Sequence, residues 1–68
     1  VTTLGDDLPR EIARVRDVLI PAYMECGPGA MFTVALMRYD LDAASKAMIE
    51  GDVVAMVRIY QKLKEWKL

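Results

Sequence analysis

The chain has no histidine and one cysteine, Cys26, in 68 residues. Without histidine, the side chain that ordinarily moves protons near neutral pH is missing. A lone cysteine cannot close an intrachain disulfide, and one thiol without histidine does not make a structural zinc site. Charge of one sign is also lacking: nine basic and ten acidic residues leave a net charge of −1. Such a balance exerts no global attraction on nucleic acid or anionic lipid. No run reaches the roughly 18–20 apolar residues needed to span a bilayer, and the N-terminal residues lack the basic start and apolar core of a signal peptide. No long stretch alternates with period two, so there is no candidate strand. One unpaired thiol fits a reducing compartment, and the expected location is cytoplasmic.

What is present is apolar. The hydrophobic fraction is 54% and the charged fraction 28%, which suits a single folded domain over 1–68 with 1–6 as a loose start. A core this small supplies only about 3–5 kcal/mol of net stability, so small domains lean on disulfides, metals or association. With the first two unsupported, self-association remains.

Apolar spacings of three and four predict an all-α chain, a three-helix antiparallel bundle with helices over about 8–26, 29–50 and 52–66. In the first, Leu8, Ile12, Val15, Leu19, Ala22, Tyr23 and Cys26 share a face, which assigns Cys26 to core packing. Asp7 suits its N-cap, and Pro9 follows where a missing N–H costs little. Pro21 interrupts the helix, but the apolar phase continues past it. A kink is expected there, with a break at Ile20 as the alternative. Gly27-Pro28-Gly29 is the first turn, Gly27 suiting a left-handed cap and Pro28 opening the next helix. Gly51 caps the second helix and Asp52 starts the third, forcing a tight hairpin.

The second helix carries two apolar stripes: Phe32, Leu36, Tyr39, Ala43 and Ala47, and Val34, Met37, Leu41, Ala44 and Met48. One is expected to face the first helix and the other the third. Asp40 lies between them. A buried carboxylate is costly unless paired, so Asp40 is expected to line a groove open to water. If it is paired, the candidates are Arg14, Arg16, Arg38 and Arg58. The main face of the third helix reads Val53, Met56, Val57, Tyr60 and Leu63. Surplus apolar residues lie off the main faces of the outer helices, and contiguous surplus of this kind marks an interface. The candidate interface is Ile20, Met24, Met31, Ala55, Ile59 and Trp66, with Ile59→Asp expected to dissociate a homodimer and leave the monomer helical. Of the five methionines, Met24 and Met31 flank the turn and are the most exposed.

Signals for chemistry are weak. Asp40 and Asp42 point in different directions on a helix, so they do not make an acid–base pair. Cys26 lies at a helix C-terminus, the end opposite to the positive dipole that activates a nucleophilic thiol. Gly27-Pro28-Gly29-Ala30 lacks the lysine and hydroxyl of a phosphate-binding loop. No catalytic residue, cofactor or metal is expected.

The segments LPREIARVRDVLIPAY, GPGAMFTVALMRYDLDAASKAMIEGD and VVAMVRIYQKLKEW, with IPAY, GPGA and EGDVVAM at their joints, resemble the small uncharacterised all-helical proteins of bacterial prophages and mobile elements. The resemblance implies a bacterial or phage origin and a cytosolic setting, and carries no functional residue over. The expected function is non-enzymatic: self-association as a homodimer, or binding to another protein. The alternative is a nucleic-acid-associated regulator using the basic third helix, Arg58, Lys62, Lys64 and Lys67. Their angular scatter and the interposed Glu65 disfavour nucleic acid as the partner, and no membrane contact is expected.

Overall fold

A computed structural model describes residues 3–67. They form three helical rods. The first consists of α1 (Leu4–Arg14), a π-helical turn (Val15–Leu19) and α2 (Ile20–Met24). After a 3-10 turn (Pro28–Ala30) come the second rod, α3 (Met31–Glu50), and the third, α4 (Val53–Glu65). Among the described residues no strand occurs, and the all-α three-helix expectation holds.

Helix α1 starts four residues earlier than its apolar pattern predicts. Thr3 is the N-cap, its carbonyl accepting from the N–H groups of Asp6 and Asp7 at 2.9 and 2.8 Å. Asp7 is therefore a first-turn residue rather than the cap, where its charge complements the positive helix end. Pro9 falls in the second turn, and its missing N–H leaves the carbonyl of exposed Gly5 to water.

Pro21 neither breaks the rod nor ends it. The turn before it is wound as a π-helix, with the Ile20 N–H reaching back five residues to the Val15 carbonyl. Pro21 has no N–H for the Asp17 carbonyl and its ring would crowd that carbonyl; the wider turn relieves both. A π turn holds an extra residue, so the apolar phase slips. Leu19 and Ile20, adjacent in sequence, both enter the core.

The two interhelical joints use glycine where L-residues are strained. Gly27 has φ 95° and ψ −171°, an extended mirror-image conformation rather than the left-handed helical one expected, and one open essentially to glycine alone. Gly51, at φ 68° and ψ 24°, is left-handed helical as expected. The Asp52 N–H bonds the Ala47 carbonyl at 3.0 Å and the Gly51 N–H bonds that of Met48 at 3.2 Å, a Schellman closure of α3. Asp52 then caps α4, its Oδ1 accepting from the Ala55 N–H at 3.1 Å.

The core gathers Leu8, Val15, Leu19 and Ile20 from the first rod, Val34, Met37 and Ala44 from α3, and Ile59 and Leu63 from α4. Cys26, read from sequence as core, is exposed: it lies in the turn beyond Met24, where α2 has ended, and its Sγ donates to the Ala22 carbonyl at 3.6 Å. No helix among the described residues is long and apolar enough to cross a membrane.

Candidate functional site

Helix α3 is the middle rod, and both neighbours cover the same side of it. Its buried positions, Val34, Met37, Asp40, Ala44 and Ala47, span an arc of about 140° at 100° per residue. The expectation that each stripe would face one neighbour is thus corrected. One stripe, with Ala47 from the other, serves α1, α2 and α4 together. The large residues of that other stripe are left outside: Phe32 is 75% exposed, Leu36 42% and Tyr39 71%. Ala43 is half-buried and packs against the core.

Asp40 belongs to the inner arc and is only 5% exposed. The carboxylate is thus covered rather than open to water as expected, and its partners are not the arginines considered. Its Oδ2 accepts from the Trp66 indole N–H at 2.9 Å, and its Oδ1 pairs with Lys62 Nζ at 3.5 Å. These groups and Glu65 line a shallow cavity of about 260 Å³. Arg14 serves the same corner from the other side. Its guanidinium donates to the carbonyls of Leu63 and Trp66 at 2.8 and 2.9 Å, neutralising the negative end of α4, while its Nε pairs with Glu11 at 2.6 Å. The Tyr23 hydroxyl donates to the Lys67 carbonyl. Trp66 and Lys67 are thereby tied to the first rod and to α3, and this polar corner acts as a structural clasp.

The candidate interface residues do not form one surface. Ile20 and Ile59 are buried in the core, Ile20 because of the π turn and Ile59 because α4 turns that side inward. Ile59→Asp would therefore place a carboxylate in the core and unfold the chain rather than part a dimer. The inward rotation of α4 also leaves Val53 and Val57, assigned to its main face, exposed. Trp66 is half-buried with its indole turned to Asp40, and Ala55 is half-buried. Met24 and Met31 are exposed as expected, Met24 beside the Arg38 guanidinium at 3.9 Å.

Two of the three basic residues of α4 are drawn into local pairings: Lys62 to Asp40, and Lys64 over the Tyr60 ring at 5.3 Å from its centre. On the first rod, the Arg16 guanidinium grips Asp17 with two bonds of 2.8 and 2.9 Å. That hydrogen bonding holds the Asp17 carboxyl below its ordinary pKa and raises that of Arg16.

The surface that sequence reasoning missed is Phe32–Leu36–Tyr39. The stripe is legible in the spacing, but which stripe stays wet depends on how two other helices are placed. No protein-family model, curated protein or solved structure matches this chain.

Proposed function

We propose that this protein is a non-enzymatic helical module that associates with itself. The observation that carries the proposal is the line of Phe32, Leu36 and Tyr39 on the outer side of α3, two aromatic rings about three-quarters exposed with a leucine between them. Single exposed apolar side chains are ordinary, whereas a contiguous line of large ones marks a contact surface. The small core adds support: a bundle of this size without a disulfide gains most from burying further apolar area in an assembly. The unpaired, exposed Cys26 and the resemblance to prophage-encoded helical proteins support a bacterial cytosolic setting.

Light scattering coupled to gel filtration tests the proposal. At micromolar concentration the expected mass is twice the 7.6 kDa of one chain. A single-chain mass throughout the micromolar range would overturn it.

A further inference from the structure

The self-association just proposed leaves open how two copies meet, and the shape of α3 answers that question. Phe32, Leu36, Tyr39 and Ala43 follow one another at intervals of four, three and four. That series reads the same in both directions, and its midpoint lies between Leu36 and Tyr39. A twofold interface demands a surface that complements itself, so that residue i meets j while j meets i. This stripe has a knob at one end and a hollow at the other. The knob is the Phe32 ring. The hollow is at Ala43, where the small side chain lets two shallow depressions meet. One, of about 320 Å³, is lined by Tyr39, Asp42, Ala43 and Lys46. The other, of about 460 Å³, lies between Ala43 and the Ala55, Ile59 and Lys62 side of α4. Knob and hollow are eleven residues apart, about 16 Å along the helix axis.

We infer that α3 pairs antiparallel with α3 of a second copy about a twofold axis between Leu36 and Tyr39, each Phe32 seating in the hollow beside the other copy's Ala43. Leu36 then lies against Tyr39 of the other copy on both sides of the axis. No charged side chain falls at the midpoint: Arg38, the nearest along the helix, lies about 100° or more round it from the stripe, while Asp42 and Lys46 flank the Ala43 end and line the hollow. The area is adequate. Phe32 and Tyr39 each leave about 110–190 Å² uncovered, three-quarters of the roughly 150–250 Å² an aromatic side chain can bury. With Leu36, Ala43 and the stem of Lys46 the stripe approaches about 500 Å² per copy. Two copies together would bury about 1,000 Å², the lower bound for a specific interface and below the roughly 1,600 Å² of a standard one.

The competing surface is the hairpin end, where Ile49 is 86% exposed. It lies about 100° round α3 from the stripe, so the two sites separate cleanly by substitution. Phe32→Asp and Leu36→Asp are expected to weaken the dimer at least 100-fold with helicity unchanged by circular dichroism, and Ile49→Asp to leave the dimer intact. The register has its own test in a Cys26→Ser background. When chains carrying Phe32→Cys and Ala43→Cys are mixed under mild oxidation, crosslinks between the two kinds are expected to dominate over crosslinks within either kind. A monomeric wild type overturns both the self-association and this pairing. A wild-type dimer that survives Phe32→Asp, or that Ile49→Asp dissociates, leaves self-association standing and overturns the pairing, as does preferential crosslinking of Phe32→Cys chains with themselves.

Discussion

Replacing Asp40 with alanine removes the acceptor on which the end of the chain is hung. The Asp40 carboxylate is buried and takes the Trp66 indole N–H at 2.9 Å and Lys62 at 3.5 Å. A hydrogen bond to a charged group contributes about 1.5–3 kcal/mol. The lysine pair adds less than about 1 kcal/mol, because the Lys62 side chain is 62% exposed. The expected loss is therefore about 2–4 kcal/mol. Against the roughly 3–10 kcal/mol that a domain of this size possesses, that is a large share, and it corresponds to a fall in Tm of roughly 10–30 °C.

The two partners can be separated. Asp40→Asn keeps an oxygen acceptor without the charge, and since charge-assisted bonds are about twice as strong as neutral ones, about half the loss is expected. Trp66→Phe removes the donor and leaves the carboxylate with Lys62. Combining the two should cost less than the sum of the single changes, by about 1–2 kcal/mol of coupling. Far-UV circular dichroism melts measure all three. In Asp40→Ala, emission from Trp66, the only tryptophan, should shift to longer wavelength before the helices melt. If Asp40→Ala proves as stable as the wild type, or more so, the cost of burying the carboxylate exceeds what its partners return, and the clasp does not stabilise the fold.

Arg14→Ala should cost about 2–3 kcal/mol through the lost bonds to the Leu63 and Trp66 carbonyls and should speed amide exchange in the last turn of α4; unchanged exchange there would contradict the clasp. Gly27→Ala should destabilise more than Gly51→Ala, about 1–3 against about 1 kcal/mol. An added Cβ meets nothing within 4 Å at either position, so the difference, read from urea midpoints, is purely one of backbone. The lowered pKa of Asp17 means that its ion pair stabilises above the unfolded carboxyl value and that the contribution is lost as pH falls through the folded one, below about pH 4. Both partners are exposed to solvent, so the contribution is small: Asp17→Asn should lower the neutral-pH melt only slightly, and the melts of variant and wild type should converge as the pH falls below about 4.

Chain direction changes were legible because each is set by one or two residues with few conformational options. Gly51 and Asp52 close one helix and open the next with their own atoms. Gly27 admits a backbone conformation denied to its neighbours. The start of α1 was harder to read because Gly5 and Pro9, taken singly, argue against helix. A proline's damage is confined to one carbonyl, however, and here that carbonyl belongs to exposed Gly5, where water can satisfy it. The π turn left no signature beyond Pro21 itself. Its effect was the larger error, since one extra residue in a turn moves everything downstream by the better part of 100°. Ile20 went into the core for that reason, whereas Cys26 lies outside it because α2 ends at Met24.

The remaining misreading, on α3, has a different origin and bears on function. Periodicity reports that a side of a helix is apolar; it does not report whether a neighbour reaches that side. Asp40 illustrates the limit. Its burial depends on Trp66, which arrives from the far end of α4 and is itself held by Arg14 of α1. Once Asp40 is drawn inward with Val34, Met37 and Ala44, α3 has a fixed rotation, and the side bearing Phe32, Leu36 and Tyr39 must face out. The polar clasp and the apolar stripe are therefore one decision, made by a carboxylate and an indole 26 residues apart. It follows that loosening the clasp should also weaken the self-association assigned to the stripe. Asp40→Asn, whose side chain is turned to Trp66 and Lys62 rather than to the stripe, should raise the dimer dissociation constant several-fold in sedimentation at temperatures well below its melt. An unchanged constant would show that the stripe keeps its orientation without the clasp, and that the rotation of α3 is set by its apolar contacts alone.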